Sequence, residues 1–206
     1  MKAVHRAAAV LVASFIVVHL GVHLTALGGS SMHLAALHSV QWVYRNTLGE
    51  LLLILAIVTQ IATGARRLQF AETRGWAKAQ AVSGVYLIFF LVVHTGAALY
   101  THHIYGLETN FYWAAGSLHY APIKYGFAIY YVSAIIAVFA HWAAALHFRW
   151  PDAPGAVVKA LPIAGAALAV AIVLAFWGAF YHVEIPGAVA EYYRVIFGGF
   201  GIDPHS

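Results

Sequence analysis

Phe15-Ile16-Val17-Val18-His19-Leu20-Gly21, with Leu24 following, recurs 75 residues later as Phe90-Leu91-Val92-Val93-His94-Thr95-Gly96, with Leu99 following. Phe, Val, Val, His, Gly and Leu match. Each copy lies inside a long apolar run, and each run places one histidine at the same point. Short apolar segments coincide easily. A matched histidine carries more weight, because ionisable residues inside membrane spans are rare and usually functional.

The surrounding composition makes those runs spans. Hydrophobic residues are 63% of the 206 and charged residues 9%, against about 25% charged in an ordinary soluble domain. So few charges cannot coat a globule of this size, and lipid must solvate much of the surface. Five stretches meet the roughly 20-residue requirement of a bilayer-crossing helix: residues 7–27, 48–64, 82–100, 125–146 and 161–180. They lack the apolar–polar alternation of barrel strands, so the expectation is an all-α protein with a single five-span transmembrane domain. Cysteine is absent, which excludes disulfides, thiolate metal sites and iron–sulfur ligation by this chain. The 13 histidines and two methionines are the remaining soft ligands.

Charge sets the expected orientation. Lys2, Arg6, Arg66, Arg67, Arg74, Lys78, Arg149 and Lys159 fall on one side of the spans, and Arg45, Lys124 and Arg194 on the other. The positive-inside rule then puts the N-terminus in the cytoplasm and the C-terminus outside, in an inner or equivalent membrane. The net charge of +4 reads as this signal and not as a nucleic-acid surface. The first span also resembles a cleaved signal peptide; its match to the third span argues against that. Aromatics in the outer connectors, among them Trp42, Tyr44, Tyr105, Phe111, Tyr112, Trp113 and Tyr120, read as an interfacial belt. The tail over residues 188–200 reads as a segment lying on the outer interface.

The second halves of the repeat align more loosely. Thr59-Gln60-Ile61-Ala62 near the end of the second span falls against Ala140-His141-Trp142-Ala143 near the end of the fourth. The helical rise places His19 about 20 Å and His94 about 21 Å from the inner surface, with Gln60 and His141 about 9 and 12 Å from it. The expected bundle has an outer tier, His19 with His94, and an inner tier, Gln60 with His141.

Two imidazoles at one level on facing helices can hold a haem between them, because haem iron takes nitrogen donors and bundles build cofactor sites this way. Gly21 and Gly96 are expected to let the helices approach closely, and Ala97 and Ala98 to leave room for a ring. Hydrogen bonding to a neighbouring helix, a proton relay and another metal remain as alternatives. His23, one turn beyond His19, is the substitute ligand.

The pattern resembles the single-chain cytochrome b membrane anchors of succinate dehydrogenases and fumarate reductases, the complex II family. The resemblance covers roughly residues 6 to 150. It rests on the two histidine segments and on Ala81-Val82-Ser83-Gly84 leading to His94. It implies five spans with the first four as a haem-binding bundle, haem b held by His19 and His94, exchange of electrons with a quinone, and partner subunits that carry the catalysis. The family's second haem requires histidines on the second and fourth spans. His141 is present, but Gln60 stands at the other position, so the expectation is one haem, with His141 and Gln60 as candidate quinone contacts.

His33, His38, His102, His103, His119, His182 and His205 also fall near the outer side, with Glu108 and Glu184 close in sequence. They allow an outer copper or zinc site; interfacial histidines are the commoner explanation. His5 and His147 read as snorkelling residues at the inner edge. Glu50 is the one carboxylate near a span core. No grouping of serine, aspartate or glutamate points to hydrolysis, and no glycine loop would cradle a phosphate. Three functions compete: a haem-bearing electron-transfer subunit, a haem-free scaffold of a respiratory membrane complex, and an outer-face His-rich metal protein or transporter.

Overall fold

A computed structural model describes residues 2–68 and 74–202, so His205 lies outside the described residues. Among these there is no strand. The helices in chain order are α1 (Lys2–Leu24), α2 (Ser30–Tyr44), α3 (Thr47–Leu68), α4 (Gly75–Leu99), α5 (Phe111–His119), α6 (Lys124–Arg149), α7 (Gly155–Trp177) and α8 (Gly187–Gly198). A 3₁₀ turn, Thr25–Gly28, extends α1, and a π-helical turn, Tyr100–Tyr105, extends α4. α1, α3, α4, α6 and α7 are long and apolar enough to cross a membrane. The protein is therefore an all-α bundle with the composition of a multi-pass membrane protein.

The five expected spans all appear, with different ends. α4 begins at Gly75 instead of residue 82, because its polar first turns still form helix beyond the apolar run. α7 ends at Trp177 instead of residue 180. Gly178 there takes φ +83° and donates its N–H to Ala175, while Ala179 donates to Leu174 at 3.0 Å. That pair of bonds is a Schellman stop, which glycine enters without Cβ strain.

Packing joins the long helices in a ring. α1 packs on α3, α3 on α4, α4 on α6, α6 on α7, and α7 returns to α1. α1 and α6 do not pack on each other among the described residues; α7 lies between them. The first four spans thus make an open arc and not the closed four-helix bundle expected; the fifth span completes the ring. Each half of the sequence repeat is a span, a short helix and a second span: α1–α2–α3 and α4–α5–α6. The short helices α2 and α5 touch at the same end of the bundle.

The solid core lies to one side, where α5, α6 and α7 meet. Phe111, Leu118, Ile135, Ile172 and Phe176 are buried there. Gly165 is placed for this contact, since a Cβ on it would lie 2.5 Å from Phe139 of α6. The outward faces are apolar: Val10, Ile129 and Ile163 are 68%, 69% and 71% exposed, a surface suited to lipid tails.

Two sequence expectations change. Gly21 and Gly96 are exposed and have nothing within 4 Å of a built Cβ, so they draw no helices together. The aromatic segments are not simply an interfacial belt. Phe111 and Trp113 are buried, and α8 turns Tyr192 and Tyr193 into the protein. Tyr193 Oη donates to the Trp113 carbonyl at 2.6 Å, and Tyr192 Oη meets Thr101 Oγ1 at 2.7 Å. Satisfying both hydroxyls inside the fold fixes α8 against α4 and α5.

Candidate functional site

A cavity of about 1460 Å³ runs through the helical ring. His5, Gln60 and His141 line one end, His19 and His94 a middle level, and Arg45 the end near α2. Ligand pockets are typically about 300–1,000 Å³, so this one has room for a large planar group with space beyond it.

The repeat is visible in side-chain geometry. Phe15 stacks on His19 with centroids 5.3 Å apart and planes at 21°. Phe90 stacks on His94 at 4.9 Å and 13°. Residues four apart share a helix face, so each phenylalanine holds its histidine in one rotamer and aims it inward. The two imidazoles, both lining the cavity, meet edge to face, centroids 6.2 Å apart and planes at 67°. A metal–imidazole bond of about 2.0–2.1 Å on each side needs a centroid separation of about that size. The centroid separation is thus of the size that two metal–imidazole bonds need, while His19 Nε2 itself lies 3.0 Å from His23 Nε2.

His19 has a second neighbour. Its Nε2 lies 3.0 Å from His23 Nε2, and His23 Nδ1 lies 3.0 Å from His33 Nε2. His33 comes from α2, is 1% exposed, and packs against Phe111 and Phe176. Burial lowers its pKa to about 4, so it is neutral at pH 7. The nitrogens of His23 bond in two directions and do not converge on one point. Two buried side-chain nitrogens lack a partner among the described residues, His33 Nδ1 and Trp113 Nε1. Both belong to residues lining the cavity at this level. Buried orphans are uncommon and call for an explanation such as a missing ligand or water.

The other tier differs in detail from expectation. Gln60 and His141 both line the cavity but make separate bonds. Gln60 Nε2 donates to the His5 carbonyl at 2.7 Å. The Ser83 hydroxyl donates to the Ala79 carbonyl at 2.7 Å, so the 3.1 Å contact between Ser83 Oγ and His141 Nδ1 takes its proton from the imidazole. His141 Nε2 is then left as an acceptor. His5 follows the same logic. The Thr63 hydroxyl donates to Thr59, and His5 Nδ1 lies 2.7 Å from Thr63 Oγ1, leaving Nε2 with its lone pair. His5 is thus a cavity residue and not simply a snorkelling one. Ten residues, nearly three helical turns, separate it from Phe15, too far to place it without the α1–α3 packing.

The remaining histidines are dispersed. His102 contacts Arg45, His103 Nε2 meets Glu50 Oε1 at 2.6 Å, and His119 Nδ1 donates to the Ala115 carbonyl. His147 lies against Trp76, while His38 and His182 are exposed. No group of three or more histidines and carboxylates among the described residues is arranged to hold a metal ion.

The chemistry available is thus a level pair of imidazoles in an apolar cavity, flanked by ring nitrogens that accept protons at one end and a guanidinium at the other. Comparison with protein-family models, with curated proteins and with solved structures finds no match to this chain.

Proposed function

We propose that the chain is a cytochrome b-type membrane subunit in which His19 and His94 hold one haem b, and that it passes electrons to or from a quinone within a larger oxidoreductase. The observation that carries this reading is the 6.2 Å separation of the two imidazoles lining a cavity large enough for a porphyrin. The matched Phe15 and Phe90 stacks support it, because they preset both rings. A bound haem would supply reversible one-electron transfer. The apolar walls, with Ile57, Leu91 and Val138 among them, would exclude water from it.

The inner-tier residues fit a quinone in its reduced form. Gln60 Oε1 and His141 Nε2 are acceptors and suit the hydroxyl groups of a quinol, which must lose protons as it loses electrons. In this reading, substrate oxidation takes place on partner subunits. The positive-inside rule supports an orientation with the α2, α5 and α8 end outside and membrane lipid around the ring. A second reading, a haem-free scaffold, is favoured by one observation: His19 already has a hydrogen-bond partner in His23.

The deciding measurement is a dithionite-reduced minus air-oxidised spectrum of the purified chain. A b-type α-band is expected, lost in His94→Ala. A fully folded chain with no band rejects the haem, and a band surviving in both His19→Ala and His94→Ala rejects the ligands.

A further inference from the structure

Arg45 stands at the α2 end of the cavity, and its ion pair is long and open to solvent. Its side chain is 19% exposed, and its nearest carboxylate, Glu108 Oε2, is 3.7 Å away on a side chain that is itself 66% exposed. The guanidinium is held from two sides instead. Nη2 donates to Thr109 Oγ1 at 2.6 Å, and Nη1 donates to His102 Nδ1 at 2.9 Å. A guanidinium only donates, so His102 accepts here, and the contact brings no negative charge. The other carboxylate lining this end, Glu50, is engaged by His103.

The position of Arg45 relates it to the imidazole pair. Tyr44, its chain neighbour, packs edge-on against Phe15 at 5.3 Å, and Phe15 stacks on His19. His102 lies two helical turns beyond His94, about 12 Å along the helix by its rise. Arg45, His102 and Thr109 all line the same cavity as His19 and His94. A fixed cation facing an apolar cavity is costly unless an anion completes it, and a planar fork selects carboxylate or phosphate.

We infer that Arg45, braced by Thr109 and His102, binds the carboxylate side chains of the haem held by His19 and His94. The inference rests on the haem reading. It orients the macrocycle with its carboxylates toward the α2 end, and it makes Arg45 the residue that tunes the potential of the site. A lipid phosphate is the competing anion with the same chemistry.

The test uses the full-length chain stripped of haem and reloaded either with haem b or with its dimethyl ester, in wild type, Arg45→Gln and Arg45→Lys. Retention of the α-band on dilution and the midpoint potential are read. Wild type is expected to hold the free acid at least tenfold more tightly than the ester, and Arg45→Gln to lose that discrimination. Loss of the cation disfavours the reduced state, so Arg45→Gln should lower the reduction equilibrium about tenfold, about 59 mV for one electron, with Arg45→Lys between the two. Wild type that treats acid and ester alike overturns the inference, as it would if a lipid phosphate occupied Arg45, and needs no folded variant. A band with potential and discrimination unchanged in Arg45→Gln also overturns it while leaving the haem reading standing. A wild-type chain that takes up neither form with a b-type band overturns both.

Discussion

His23 Nε2 lies 3.0 Å from His19 Nε2, the same atom that an iron opposite His94 would need. One turn of helix separates the two rings, and they meet edge to face at 4.3 Å. One side of the site therefore offers two imidazoles to a single place, while the His94 side offers one.

That asymmetry predicts unequal ligand variants. His94→Ala should abolish the b-type band. His19→Ala should keep part of it, with altered intensity, because His23 is near enough to substitute; His19→Ala with His23→Ala should abolish it. Difference spectra of the four proteins decide this. Equal losses in His19→Ala and His94→Ala would show that His23 does not substitute.

Stability should fall in mild acid through His33. Its folded pKa, about 4, is depressed from 6.5 by burial. The unfolded chain therefore takes up the proton first as pH falls. The stabilisation present above pH 6.5 is lost progressively as pH drops through about 4, a change of about 3 kcal/mol. His33→Phe, which keeps the packing against Phe111 and Phe176, should flatten the dependence. Melting in detergent followed by tryptophan fluorescence at pH 7.5 and 4.5 measures it, and an unchanged slope rejects the assignment.

Two kinds of glycine should respond differently to added bulk. A Cβ at Gly165 meets Phe139 at 2.5 Å, and one at Gly116 meets Tyr193 at 2.6 Å. Gly165→Ala and Gly116→Ala should each cost about 1–3 kcal/mol by overpacking. Gly21→Ala and Gly96→Ala meet nothing and should sit within about 0.5 kcal/mol of wild type. Thermal midpoints of the four proteins make the comparison.

Orientation can be read with a single introduced thiol, since the chain has none. In intact cells or right-side-out vesicles, Ser39→Cys on α2 should react with an impermeant maleimide. Asp152→Cys, between α6 and α7, should react only after lysis. The reverse pattern overturns the charge-based topology.

The long apolar runs made the spans legible, because a stretch of that length without charge has few other solutions. The histidine tiers were legible because helix rise converts sequence distance into depth. What periodicity could not give was rotation about each helix axis. Gly21 and His19 are two residues apart and face different surroundings, so a shared motif did not mean a shared interface. The short helices were hidden for another reason. Phe111, Trp113, Tyr192 and Tyr193 have the composition of a headgroup belt, and only long-range bonds such as Tyr193 to Trp113 turn them inward. Arg45 looked like one of three outer charges for topology, because its bonds to His102 and Thr109 span more than 50 residues of chain.

The place of α7 between α1 and α6 has a consequence for biogenesis. Chains emerge amino-terminus first, so both halves of the repeat are complete before the last long helix leaves the ribosome. Until it docks, the wall between α1 and α6 has a lateral gap along the cavity. Under the haem reading, a bulky guest would enter through that gap from the lipid phase, and docking of α7 would then close the door behind it.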